Sequence, residues 1–337
     1  MGLENYEIKE IIGVGSFAKV YRAVHKKTNK QVALKIVKLD KQNRKHLKMT
    51  LKEISILASC RSPQILKYIE SFLDGDRLYI VTELMLATLT EIRETVGTFK
   101  DSKALGYLFH EIVKGLDYIH NEKVIHRDIK PENIMVNELG DVVIVDFGIS
   151  TSIESCLDEN NKDNFAGTLH YLSPEIVCGK SYNEKVDIWS FGIVGYQMVT
   201  GKPPHHGQDN VNVINLIEKK DAPYLVATGG SSKEYRNFVN KCLIKNPEKR
   251  PTTKDLLKTK FLKKGKKSSF LKIISKYQTL TKNNNKIIHF TTSSEEEESE
   301  LSDVEKSDVE EENDENDSEA ENKENINKKE KKKGWKF

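Results

Sequence analysis

Between residues 6 and 37 apolar and polar positions alternate with a period of two around a glycine-containing turn, which predicts short strands. The run ends in Val32-Ala33-Leu34-Lys35-Ile36-Val37, rich in the β-branched residues that suit a pleated surface. From 43 to 58 the period changes: Leu47, Leu51, Ile54 and Ala58 recur at i, i+4, i+7 and i+11, predicting a helix with these four facing inward. Two strand-like runs follow, Ile65 to Phe72 and Leu78 to Glu83, with Asp74-Gly75 as the hairpin signal between them. Beyond 100 the pattern is helical. Asp101 or Ser102 caps a helix whose Leu105, Leu108, Phe109, Ile112, Leu116 and Ile119 share a stripe. Residues 186 to 199 are apolar on nearly every side, as in a helix buried mid-domain. Past 263 the pattern decays. Phe270, Leu271, Ile273, Ile274 and Tyr277 lie at helical spacing among lysines and predict a basic amphipathic extension, 263–280, docked on the body. Residues 281–337 hold too little apolar surface to offset the entropy of ordering, so a disordered tail, acidic and then basic, is expected.

The 337 residues carry 54 Lys plus Arg against 51 Asp plus Glu, a net +3 that hides a segregation of charge. Residues 291 to 325 hold 17 acidic and 2 basic side chains, and residues 328 to 337 hold 6 Lys and 1 Glu, so the body itself is basic. Cys60, Cys156, Cys178 and Cys242 lie far apart without a Cys-x-x-Cys pair, so neither a zinc site nor a disulfide framework is indicated, and a reducing compartment is expected. Met1 to Tyr6 shows no signal-peptide pattern, Tyr6 stands where a myristoylation signal needs Ser or Thr, and no apolar run is long enough to span a bilayer. The expected location is cytoplasmic, with nuclear entry open.

The first segment with chemistry is Gly13-Val14-Gly15-Ser16-Phe17-Ala18-Lys19-Val20, because glycines let backbone N–H groups approach phosphate oxygens closely. By itself it is weak, since a plain hairpin turn has the same look. In Val32-Ala33-Leu34-Lys35 the period of two puts Ala33 and Lys35 on one face, a small floor for a base and an ammonium for phosphates, with Glu53 on the next helix as partner. Far more specific is His126-Arg127-Asp128-Ile129-Lys130-Pro131-Glu132-Asn133, followed by Asp146-Phe147-Gly148. It sets Asp128, Asn133 and Asp146 in polar turns beside apolar strands. Phosphoryl transfer needs such a set: a carboxylate to orient the attacking hydroxyl, oxygen ligands for a divalent cation, and a positive charge near the γ-phosphate.

The ordered set of glycine loop, Val-Ala-Leu-Lys, His-Arg-Asp-x-Lys-x-x-Asn, Asp-Phe-Gly and Ser173-Pro174-Glu175 closely resembles the eukaryotic protein kinases over residues 6–262. The resemblance implies an α+β bilobal fold, with a β-rich N-lobe (6–83) bearing one regulatory helix and a mainly helical C-lobe (84–262). It implies a Ser/Thr protein kinase using ATP and Mg2+ on protein substrates. Carried over residue by residue, Ile12 to Val20 cover the nucleotide, with Gly13 and Gly15 over its phosphates. Lys35 contacts the α and β phosphates and pairs with Glu53. Asp128 is the catalytic base, Lys130 steadies the γ-phosphate, and Asn133 and Asp146 bind the metal. Thr82 gates the space behind adenine, over the Ala33 floor, and Glu83 and Met85 supply backbone contacts to the base. The Glu175–Arg250 ion pair and Asp187 are read as architecture.

Within the family the chain looks most like the STE group. Leu172-Ser173-Pro174-Glu175 and Asn246-Pro247-Glu248-Lys249-Arg250-Pro251-Thr252 are similar to the germinal-centre branch, whereas Glu83-Leu84-Met85 and Asp146 to Ser150 are similar to dual-specificity MAP kinase kinases. The third loop glycine is Ala18. Asn164 replaces the usual activating Ser or Thr, which leaves Arg127 to meet a phosphate or carboxylate on Thr151, Ser152, Ser155, Asp163 or Thr168. Leu169-His170-Tyr171 replaces the usual Pro-Tyr-Trp. A pseudokinase scaffold is the reading from another class, and the presence of Lys35, Asp128 and Asp146 speaks against it. An upstream kinase and scaffold proteins are the further partners considered. Without interleaved aromatics, Lys263 to Lys276 indicate no specific nucleic acid, and His205-His206 read as a solvent-facing pair.

Overall fold

The period-two segment forms antiparallel strands β1 (Tyr6–Val14), β2 (Ala18–His25) and β3 (Lys30–Lys38), joined by β4 (Tyr68–Asp74) and β5 (Arg77–Glu83) in the order β1-β2-β3-β5-β4. The computed structural model describes residues 2–15, 18–39, 44–152, 166–227 and 231–288. Val32 and Leu34 bury one face of β3 with Tyr6, Ala23, Tyr79 and Val81. The other face carries Ala33, Lys35 and Val37, the last packed with Leu78 and Ile80. Gly75, at φ 56°, closes the β4–β5 hairpin.

Helix α1 (Arg44–Ser59) packs on β4, but not on the predicted stripe. Leu51 is 53% exposed and Ala58 is exposed, whereas Thr50 and Leu57 are buried with Glu53 and Ile54 beside them. The reason is the Lys35–Glu53 pair, which turns the polar Glu53 toward the sheet and rotates the helix about its axis.

The C-lobe is built on α2 (Leu89–Val96), α3 (Ser102–Asn121), α4 (Pro174–Val177), α5 (Lys185–Thr200), α6 (Asn210–Lys219), α7 (Lys233–Cys242), α8 (Thr253–Leu257), α9 (Lys260–Lys263) and α10 (Lys267–Ile288). Asp101 caps α3 by accepting from the N–H groups of Lys103 (2.7 Å) and Ala104 (3.3 Å), and all six predicted stripe residues are buried. Phe109 of α3 lies 5.0 Å from the Phe191 ring of α5 and 5.7 Å from Tyr235 of α7, so one aromatic cluster joins three helices. Short strands carry the turns that matter: β6 (Ala87–Thr88), β8 (Ile134–Val136) and β9 (Val142–Ile144) form one sheet, and β7 (Val124–Ile125) pairs with β10 (Thr151–Ser152).

The basic extension docks as a helix through Phe270 and Ile274, both buried, but α10 runs on to Ile288 rather than stopping near 280. Once a helix is nucleated each further residue adds a hydrogen bond at little cost, so the three asparagines do not end it. Residues 289–337, which contain the acidic tract, lie outside the described residues. Among the described residues no helix is long and apolar enough to cross a membrane, and no group of His, Cys, Asp or Glu is arranged to hold a metal ion by itself.

Candidate active site

The carboxylate of Asp128 is the centre of a closed hydrogen-bond set. It follows β7, and its Oδ2 accepts from Lys130 Nζ (2.7 Å) and Asn133 Nδ2 (2.9 Å). Its Oδ1 accepts from the backbone N–H (3.0 Å) and hydroxyl (2.6 Å) of Thr168, and Lys130 Nζ also donates to Thr168 Oγ1 (2.8 Å). Burial works to raise the Asp128 pKa, yet the hydrogen bonds and charge of Lys130 and the Thr168 bond hold it below the ordinary aspartate value. At neutral pH Asp128 is therefore an ionised acceptor, fixed in direction.

The turn that presents Asp128 is held from below by Asp187. Asp187, fully buried at the start of α5, accepts from the backbone N–H groups of His126 and Arg127 (both 2.9 Å) and contacts His120 Nε2 at 2.8 Å. Those bonds keep Arg127 in the left-handed region, at φ 70°. Its Nε donates to Ile149 O (2.7 Å) and its guanidinium to Tyr182 Oη (3.2 Å). His120 was not among the residues singled out from the sequence. Its position beside Leu116 and Ile119 on an otherwise apolar face was the available signal.

Asp146 also has left-handed backbone, φ 66°, and its carboxylate is exposed and, among the described residues, accepts only from Gly148 N (3.3 Å). Asn133 is tied to the same strand pair by Val145 N donating to its carbonyl (3.0 Å). With its amide nitrogen spent on Asp128, Asn133 keeps its side-chain oxygen for a ligand, and together with Asp146 it offers the hard oxygen donors that suit a divalent cation. Phe147 is buried with its ring 4.9 Å from His126, in one cluster with Leu57 of α1.

Lys35 Nζ donates to both oxygens of Glu53, at 2.8 and 3.0 Å. Ala33 lies beside it on the same strand face and pairs across the sheet with Thr82, which is 9% exposed. The lobes join after β5. There Glu83 Oε1 accepts from Lys67 N (2.8 Å), and the N–H of Met85 has no hydrogen-bond partner among the described residues. Gly13 pairs with Val20 and Gly15 N donates to Ala18 O (2.8 Å). A Cβ on either would meet nothing closer than 3.5 Å, and neither has positive φ, so the folded chain does not itself require these glycines. What they leave is accessible backbone, with Gly15 exposed and the apolar Ile12 and Val14 exposed beside it. Lys19 is exposed beside them. These features fit a nucleotide. Ser16 and Phe17, like Ser155, Asp163 and Asn164, lie outside the described residues.

Glu175 and Arg250 form a buried bidentate pair (2.7 and 3.1 Å), and the guanidinium also donates to three backbone carbonyls and stacks 5.2 Å from the Trp189 ring centre. Its place is inside the C-lobe core.

The protein kinase domain model matches residues 6–262, and the chain belongs to that family. It is 36% identical over 280 residues to the serine/threonine-protein kinase dst1 of Dictyostelium discoideum, covering 82% of this chain and 37% of that protein. It is 38% identical over 265 residues to serine/threonine-protein kinase ppk11 of Schizosaccharomyces pombe, covering 78% and 83%. Sporulation-specific protein 1 of Saccharomyces cerevisiae is 38% identical over 264 residues, covering 77% and 52%. The chain thus spans well under two thirds of dst1 and of the Saccharomyces protein. The fold is the bilobal kinase fold. The domain is that of an ATP-dependent serine/threonine protein kinase of STE-like type, and it implies a divalent metal. The dual-specificity and scaffold readings are not favoured.

Proposed function

We propose that this chain transfers the γ-phosphoryl group of Mg-ATP to serine and threonine hydroxyls of proteins, with Asp128 orienting and deprotonating the acceptor. Lys130 neutralises charge on the transferred group, Asn133 and Asp146 hold Mg2+, Lys35 holds the α and β phosphates, and Glu83 and Met85 offer backbone groups to the base. The observation that carries this reading is the Asp128 constellation: an ionised carboxylate with a lysine and a threonine on it. Catalysis of this kind is mostly positioning and electrostatics, which the geometry provides. An upstream kinase and scaffold proteins fit as partners. Cys60, Cys178 and Cys242 are free thiols, which suits a reducing cytoplasmic or nuclear location.

The test is transfer of labelled phosphate from ATP to a generic basic protein. Asp128→Asn should lower kcat by at least about 100-fold. EDTA should abolish transfer and added Mg2+ restore it. Equal rates in the wild type and the variant would refute the assignment.

A further inference from the structure

The two residues read as metal ligands stand at the two feet of one short hairpin. Asn133 immediately precedes β8, and Asp146 follows β9 after Val145. The strands pair Ile134 with Ile144, Met135 with Val143 and Val136 with Val142, and at the feet Val145 N donates to Asn133 O (3.0 Å). The spacing of the Asn133 and Asp146 oxygens therefore follows the tilt and twist of this ribbon. Its strands have short supports: β6 pairs with β8 at two positions, and Ile144 bonds with Gln64 O and Leu66 N.

The far end of the hairpin, the turn 137–141, is held by the extension. Within the turn Asn137 Nδ2 donates to Asp141 Oδ2 (3.0 Å) and Asp141 N to Asn137 Oδ1 (2.9 Å). Lys267 of α10 then donates from Nζ to Asp141 Oδ1 (2.6 Å). The hydrogen bonds of Lys267 and Asn137 hold the Asp141 carboxyl below the ordinary aspartate value, so the pair is charged at neutral pH. Leu271, one turn further along α10, lies over Gly140, where a Cβ would fall 2.9 Å from Leu271 Cδ2. Gly140 has φ 74°, so both the conformation and the close approach suit glycine. Tyr107 Oη of α3 donates to Gly140 O (3.2 Å), and its ring lies 5.7 Å from that of Phe270. Among the described residues the turn's hydrogen bonds from outside come from Lys267 and Tyr107 alone. Lys267 and Asp141 are 42% and 46% exposed, and ion pairs so exposed add little to overall stability.

We propose that α10 is a positioning clamp for the metal site. Lys267 and Leu271 fix the tilt of the β8–β9 hairpin through Asp141 and Gly140, and so hold Asn133 and Asp146 at the spacing a divalent cation needs. The proposal rests on the reading of these two residues as metal ligands and adds the element that sets their spacing. Mg2+ tolerates little departure from its preferred geometry, so a small rocking of the hairpin is felt as lost affinity. Lys267 and Leu271 are positioning residues, because they act on the cation only through the hairpin.

The experiment uses the full chain with a non-hydrolysable ATP analogue and Mn2+ as the probe, free Mn2+ being read by electron paramagnetic resonance. Lys267→Gln combined with Leu271→Ala should weaken Mn2+ binding about three- to ten-fold. The Mg2+ concentration for half-maximal phosphate transfer should rise by the same factor, while kcat at saturating Mg2+ holds. Lys267→Arg, which keeps the ion pair, and Lys272→Ala, on the exposed side of α10, should both bind Mn2+ as the wild type does. If the double variant does not fold, Lys267→Gln alone decides, with about a two-fold loss expected. Unchanged Mn2+ affinity in a folded clamp variant would overturn the proposal even if its melting temperature falls, as would an equal loss in Lys272→Ala. A wild type that binds no Mn2+ with the nucleotide would instead refute the metal assignment itself, and the clamp with it.

Discussion

At the scale of single residues, the acid side of the stability profile should be set by buried carboxylates. Burial works to raise the pKa of Asp187, but the hydrogen bond and charge of His120, with His126 nearby, bring it below the ordinary aspartate value. A depressed folded pKa means the contribution is fully present above the unfolded value, about 4, and is lost as pH falls through the folded one. Melting temperature should therefore be insensitive to Asp187 between pH 6 and 8, and the wild type should lose this contribution below about pH 4. Asp187→Asn should be less stable at pH 7, with the gap narrowing as pH falls; a gap constant down to pH 3 would contradict the argument. Most of the site was legible residue by residue, because Asp128, Lys130, Asn133 and Asp146 stand at fixed spacings in the chain. Asp187 was legible as architecture through the resemblance, but the particular bonds that aim the site were not, because they join residues far apart in the chain: Thr168 to Asp128 across 40 residues, Asp187 to His126 across 61 and Asp187 to His120 across 67.

At the scale of elements, periodicity located the helices and strands well but misjudged orientation where a polar contact outweighed an apolar one. In α1 the sequence stripe ran through Leu51, yet the helix turns Glu53 inward to Lys35 and leaves Leu51 exposed. The extension shows a different limit. Its apolar spacing announced a docked helix, but not how closely the chain approaches the body. Gly265 lies against Gly106 of α3, and a Cβ on it would fall 2.4 Å from Tyr107 N, while Lys266 N donates to Lys103 O (3.0 Å). Backbone on both sides leaves no flexible side chain to yield. Gly265→Ala should thus destabilise by about 1–3 kcal/mol, read as a lowered midpoint in urea, whereas Lys272→Ala on the exposed side of α10 should leave the midpoint in place. Equal midpoints for Gly265→Ala and the wild type would show that the extension is loosely held.

For the whole molecule the question is whether the catalytic parts need an external signal to come together. In this family the lysine–glutamate pair and the metal-binding aspartate must both be in place for transfer. Here Lys35 and Glu53 are bonded across β3 and α1, Phe147 is packed in one core with Leu57 of α1, and Asp128 is fully hydrogen-bonded. Arg127, the residue available to read a phosphate on the activation segment, already donates to Ile149 O and Tyr182 Oη. Asn164 has no hydroxyl to phosphorylate at the usual switch position. These features together argue that the chain assembles its active arrangement without an activating phosphate there. Protein expressed in bacteria and treated with phosphatase should keep most of its activity toward a generic basic substrate, and should show ATP-dependent thermal stabilisation. Activity that disappears on phosphatase treatment and returns after incubation with an upstream kinase would show instead that another phosphosite does the work Asn164 cannot do.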